Sequence, residues 1–246
     1  MFENSDKEWE IFGKNSPYHS VFTHEKYQGK TLSEDVKVEF WQSGQARIDA
    51  VFRRIRNHVD PNFRPENALD FGCGVGRLLF AISAKSNHAT GIDVSPSMLD
   101  EAKREAKKRN IDNLTFLESG NCDELGVCLF DFLHSHVVFQ HIPVDRGYAI
   151  LDKLLASLRN GGVGVLHFTF SNKDYRVWKI IRKIPFNKQI RNMVHRRPFN
   201  TPFMQMNEYD LNRVMEKIRL QGARTCYLEF TEHQGIGGVV IYFKKS

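Results

Sequence analysis

One stretch constrains this chain more than any other: Asn67-Ala-Leu-Asp-Phe-Gly-Cys-Gly-Val-Gly-Arg-Leu-Leu-Phe-Ala-Ile82. Ala68, Leu69 and Phe71 read as the end of a short buried strand. Gly72, Gly74 and Gly76 form the turn, and Leu78, Leu79, Ala81 and Ile82 start a helical pattern. A strand that turns into a helix through glycines lets bare backbone N–H groups approach a ligand and aims the positive helix end at it. The spacing is not that of a dinucleotide fingerprint, which wants glycines at the first, third and sixth positions. Arg77 holds the sixth position here. Asp70, just ahead of the first glycine, suits a ligand with a positive group better than a pyrophosphate.

Alternating strands and helices follow. Ala89–Ser95 reads as a second strand with Asp93 at its tip, where a carboxylate can accept both hydroxyls of a ribose. Val94 adjoins it, Ser95 reads as an N-cap with Pro96 at the first helical position, and Met98, Leu99, Ala102 and Ala106 give the helix its buried face. Leu114–Leu117 is the third strand and Phe130–Ser135 the fourth. A helix over 146–158 and a fifth strand, Val163–Thr169, come next. The repeated strand–helix order predicts right-handed crossovers and a parallel sheet. A helix over Glu208–Leu220 and two strands, Thr225–Thr231 and Gly238–Phe243, close the chain as a hairpin.

The motif Asp-Phe-Gly-Cys-Gly-Val-Gly, followed by Gly-Ile-Asp-Val-Ser-Pro-Ser-Met-Leu, resembles the first two motifs of the class I S-adenosylmethionine-dependent methyltransferases. That resemblance covers about residues 45–246. It implies a Rossmann-like, doubly wound α/β fold: a mostly parallel seven-stranded sheet with a C-terminal antiparallel hairpin and a helical insert after the fifth strand. Residues 1–44 would then be an N-terminal cap of short helices and loops. The resemblance also implies a cofactor, S-adenosyl-L-methionine. Asp70, Gly72, Gly74 and Gly76 would hold its methionine end, and Asp93 and Val94 its ribose. Met98 would lie near adenine, and the end of the fourth strand, at His136, would face the sulfonium. The Gly-Asp pair expected after the third strand is replaced by Glu118-Ser-Gly-Asn-Cys-Asp-Glu124, so Asn121, Cys122 or Asp123 is left to meet the adenine.

The chemistry such a site needs is alignment of donor and acceptor and, for a hydroxyl acceptor, removal of a proton. His141 is the candidate general base, just past the fourth strand, with His136 in reserve. His134 and His136 share a strand face, but no third ligand has metal-binding spacing, so no metal is expected. Arg47 and Arg53 could face a ligand, but read first as solvated surface charge.

Charge is unevenly placed. Residues 171–200 hold nine Lys and Arg against Asp174 alone, so the rest of a chain of net charge +6 sums to −2. With Trp178 among these cations, the insert 171–207 suits an anionic acceptor, either a small molecule or a glycan- or lipid-linked group. It also suits peripheral contact with an anionic membrane. An RNA methyltransferase ranks lower, because there is no separate RNA-binding module and no Asn-Pro-Pro-Tyr type motif. A non-catalytic cofactor-binding protein is a third reading, and DNA is not expected as a partner. Four cysteines without a CxxC pair, and a start without a basic and apolar leader, read as a reduced cytoplasmic protein.

Overall fold

The computed structural model describes residues 5–29, 31–120, 129–172, 204–233 and 235–246. Asn121, Cys122, Asp123 and most of the basic insert therefore lie outside the described residues.

The sheet has seven strands in the order β3-β2-β1-β4-β5-β7-β6. They are β1 (Asn67–Phe71), β2 (His88–Asp93), β3 (Leu114–Glu118), β4 (Phe130–Ser135), β5 (Leu158–Asn172), β6 (Ala223–His233) and β7 (Ile236–Lys245). The first five pair in parallel, while β7 runs antiparallel to both β5 and β6. Strand order reverses between β1 and β4, which opens a crevice beyond their carboxyl ends. Every residue of β4 is buried, as expected of a parallel strand covered on both faces. One face packs Phe40, Ile48, Phe52, Ile55, Phe132, Val165 and Tyr242. The other packs Leu69, Leu133, Phe139, Leu151, Leu154, Phe168 and Phe243.

Among the described residues the helices are α1 (Ser5–Asn15), α2 (Pro17–Val21), α3 (Glu34–His58), α4 (Leu79–Ser83), α5 (Pro96–Lys108), α6 (Val144–Ser157) and α7 (Leu211–Leu220). α3 begins at Glu34, so it runs unbroken through the boundary expected between the cap 1–44 and the domain from 45. Glu34 and Asp35 in its first turn, and Arg56 and His58 in its last, complement the helix dipole. Phe40 and Trp41, which fall within the expected cap, lie on the buried face of this helix. Gly44 is required there, since a Cβ would come within 2.1 Å of the Arg77 carbonyl oxygen. That close approach brings α3 onto the glycine turn.

Other boundaries shift less. α6 stops at Ser157, and β5 starts at Leu158 because that residue already pairs with Phe130. α7 starts at Leu211, capped by Asp210, whose Oδ1 accepts the Asn212 N–H at 2.9 Å. At the foot of β4, the Asp131 carboxylate accepts the N–H groups of Glu66 (2.8 Å) and Asn67 (3.1 Å) and an Arg159 guanidinium N–H (2.8 Å). α2 is anchored to α5 through the Tyr18 hydroxyl, which donates to Glu101 at 2.5 Å. A buried Lys37–Glu105 pair at 2.8 Å ties α3 to the same helix.

Candidate active site

Gly72, Gly74 and Gly76 all have left-handed φ, of 77°, 54° and 91°. The N–H groups of Gly72 and Cys73 donate to the Ile92 carbonyl at 2.7 and 2.9 Å, which pins the turn to the tip of β2. Asp93 stands at that tip. Its Oδ2 accepts the Gly74 N–H at 2.8 Å and its Oδ1 accepts the Ser95 N–H at 3.0 Å. Each oxygen keeps a lone pair for a ligand hydroxyl. Burial pushes the Asp93 carboxyl up to about 6 against the backbone N–H groups that favour its charge. Ser95 caps α5 by accepting the Met98 N–H at 3.3 Å. Val94 is half-buried, whereas Met98 is buried beneath Gly13 of α1 and near Gly74.

Asp70 is buried, with His134 Nδ1 2.7 Å from its Oδ1. Ser135 donates to the Phe71 carbonyl at 3.0 Å. The chain then turns sharply: Val137, 38% exposed, has φ of 60°. A β-branched residue there is strained, and such strain gathers at binding sites. The turn lies between β4 and the short 3₁₀ turn Phe139–His141.

Two cations sit over this corner. Arg77, at the position a dinucleotide motif would give to glycine, is 8% exposed and packs under the rings of Phe22 (4.7 Å) and Phe40 (5.9 Å). Burial and the nearby Arg47 charge lower its guanidinium to about 10. Arg47 is half-buried, with Nη2 3.4 Å from His136 Nδ1, which corrects the expectation of a solvated charge. Gly44 sets it there, one turn earlier on α3. The Nε atoms of both arginines are buried and unpartnered, and among the described residues neither has a carboxylate partner. A left-handed glycine turn, a carboxylate with free lone pairs and two orphaned guanidinium nitrogens fit an amino-acid nucleoside with a carboxylate.

His136 is half-buried, and burial with the Arg47 charge holds its imidazole well below the usual range. His141 is buried and lowered to about 4 by that burial. Its Nδ1 lies 2.6 Å from the Gln205 carbonyl, its Nε2 3.2 Å from the Gln140 amide, and its ring meets Trp9 of α1 edge-on at 5.0 Å. Both ring nitrogens of His141 are thus engaged by protein. Among the described residues no group of three His, Cys, Asp or Glu is placed to hold a metal ion.

α1 closes the other side of the crevice. Glu10 accepts the hydroxyl of Ser95 (2.7 Å) and the hydroxyl and N–H of Ser97 (2.6 and 3.2 Å). Sequence reasoning did not single out Arg77 as part of this corner, and ranked the ligand-facing reading of Arg47 second. Arg77 carried a signal, as the charged residue that ends a glycine run.

Comparison with known proteins agrees with this geometry. Residues 68–162 match the profile of the methyltransferase domain. A ubiquinone/menaquinone biosynthesis C-methyltransferase, UbiE, of Rhizobium rhizogenes is 33% identical over 153 residues, covering 58% of this chain and 57% of the relative. An uncharacterized RNA methyltransferase of Streptococcus pneumoniae is 26% identical over 50% of this chain and 27% of the relative. The chain thus spans little more than half of the first and about a quarter of the second. Magnesium protoporphyrin IX methyltransferase (ChlM) of Synechocystis, solved with bound SAH, superposes with a TM-score of 0.64 at 17% identity, covering 98% and 99% of the two chains. The N-methyltransferase NodS of Bradyrhizobium japonicum, also with SAH, gives 0.63 at 12% identity and 99% coverage of both. No described helix is long and apolar enough to cross a membrane. Glycine turn, ribose-type carboxylate, sheet order and matching profile together mark residues 68–162 as a methyltransferase domain of the S-adenosylmethionine-dependent kind.

Proposed function

We propose that the chain transfers a methyl group to an oxygen of a small acceptor that carries an anionic group, either free or as part of a glycan or lipid. The observation that carries this reading is the pair Arg47 and Arg77, whose buried Nε atoms lack partners and carboxylates. Two guanidiniums call for two anions. The methionine carboxylate of the cofactor is one, and an acidic acceptor supplies the other.

When bound, S-adenosylmethionine supplies an activated methyl on a sulfonium. The chain does the rest by position and charge. Asp93 accepts the ribose hydroxyls, with Val94 and Met98 beside the base, and the turn Gly72–Gly76 takes the methionine end. Asp70 orients His134 beneath it. The left-handed turn at Val137 bares the backbone of Ser135–Val137 toward the sulfonium. The acceptor proton passes to a histidine at the carboxyl ends of the central strands, and His141, with both ring nitrogens engaged by protein, is not that base. The nine cations of 171–200 supply charge for attracting the anionic acceptor or a membrane that carries it.

Transfer of labelled methyl from S-adenosylmethionine into a metabolite extract tests this reading. Label is expected in a nuclease-resistant small-molecule fraction retained on an anion exchanger. Label confined to nuclease-sensitive polymer would replace the reading with RNA methylation. A second reading, transfer to carbon, is supported by the Rhizobium C-methyltransferase relative. Fragmentation of the labelled product by mass spectrometry distinguishes carbon from oxygen.

A further inference from the structure

The histidines around the crevice differ in what their ring nitrogens meet. His134 Nδ1 faces Asp70 at 2.7 Å, His136 Nδ1 faces the Arg47 guanidinium at 3.4 Å, and His141 Nδ1 faces the Gln205 carbonyl at 2.6 Å. His167, on β5, is 5% exposed, and its Nδ1 is buried with no partner. Its Nε2 lies 3.1 Å from the Thr231 hydroxyl.

Register places this ring at the right level. Ser135 pairs with Leu166, so His136 and His167 stand side by side one step beyond the end of β4. Their rings meet edge to face, with centroids 5.2 Å apart. The unpaired nitrogen therefore lies at the strand end next to the strained turn at Val137. Buried polar atoms almost always have a partner, and an orphan beside a crevice marks where a bound molecule supplies one.

The other imidazoles are spoken for. A guanidinium only donates, so His136 Nδ1 is an acceptor already used and its Nε2 carries the hydrogen. His141 spends both nitrogens on Gln205 and Gln140. We propose that His167 Nδ1 accepts the proton of the acceptor hydroxyl, and that Thr231 is the positioning residue whose oxygen takes the Nε2–H. This proposal rests on the O-methylation reading above. In the transfer, a lone pair of the acceptor oxygen forms the O–CH₃ bond. The CH₃–S bond breaks with its electron pair left on sulfur, and the hydroxyl proton moves to Nδ1. The positive charge lost from sulfur reappears on the imidazolium, which passes its proton to water. Burial keeps the His167 ring neutral, near 4, and the nearby Arg47 charge adds to this. That suffices, because the protonated ether formed by the displacement is far more acidic than an imidazolium.

The test is methyl transfer from S-adenosylmethionine to a panel of phenolic acids, with affinity for S-adenosylhomocysteine measured by calorimetry in parallel. His167→Gln and His167→Ala are expected to lower kcat by about a hundredfold or more, with affinity changed by less than about threefold. Added imidazole should restore part of the His167→Ala turnover, which a packing role would not allow. Thr231→Val should lower kcat by about tenfold or less. If the wild type methylates phenolic oxygen and His167→Gln keeps kcat within about threefold, the proposal is overturned while the O-methylation reading stands. If both His167 variants lose cofactor-product affinity along with turnover, His167 is structural and the proposal is overturned. If the wild type methylates no phenolic acid, or only ring carbon, the reading and the proposal fall together.

Discussion

The two halves of the crevice are built differently. The nucleoside half comes from one run of chain, Asp70 to Met98, and satisfies itself. Asp93 accepts N–H groups from Gly74 and Ser95, and the turn is pinned to Ile92. The other half gathers Arg47, Arg77, His136, His167 and Thr231 from helix, turn and three strands or strand ends. It leaves Arg47 Nε, Arg77 Nε and His167 Nδ1 buried without partners. A self-satisfied half is formed before any ligand arrives. The other half is completed only by what it binds, because each orphaned donor or acceptor costs about 1–3 kcal/mol until paired.

The sharpest way to break this contrast is Asp93→Ala. It removes the acceptor of two ligand hydroxyls, and affinity for S-adenosylhomocysteine should fall by about a hundredfold or more in calorimetry. Unchanged affinity would mean that Asp93 only ties the turn. Next comes Arg47→Met, which keeps the side chain's bulk and loses its charge. KM for an anionic acceptor should rise by about tenfold or more, while a neutral analogue of the acceptor should lose less. An equal loss for both would assign Arg47 to the cofactor alone.

Acidity tests the nucleoside half alone. On the proposed reading, ligand hydroxyls donate to ionised Asp93, and burial pushes that carboxyl up to about 6. Affinity should therefore weaken as pH falls through about 6. Apo stability should move the opposite way, because a carboxyl raised above its unfolded 3.8 favours the protonated folded state below about 6. Asp93→Asn should flatten both trends, and a variant that keeps them would locate the titration elsewhere. The smallest effect belongs to Val137→Gly. Relief of the left-handed strain should outweigh the added chain entropy and stabilise the fold by about 1 kcal/mol or less. A fall in Tm would show that the valine side chain supports the turn.

The same division decided what could be read from sequence. β1, the glycine turn and Asp93 were legible because strand, turn and cap signals lie within a few residues of one another. The C-terminal hairpin was legible as two apolar runs around glycines. The start of α3 was missed because Phe40 and Trp41 lie in a segment rich in aromatics, where helical period and loop packing look alike. Arg47 looked like surface charge because nothing local says that Gly44 lets α3 settle onto the Arg77 carbonyl. His167 is one polar residue in a buried strand, and its neighbours come from β4 and β6, more than thirty residues away on either side. Contacts of that range are set by sheet register, which no single window of sequence contains.

Asp131 has a consequence for how this molecule can move. Its carboxylate ties Glu66, Asn67 and Arg159 together below the sheet, so three neighbouring strands share one fastening at their lower ends. Strands riveted this way cannot splay to admit a nucleoside from beneath. That leaves the short helices draped across the top as the door: α1, which Glu10 fastens to Ser95 and Ser97, and α2, which Tyr18 fastens to Glu101.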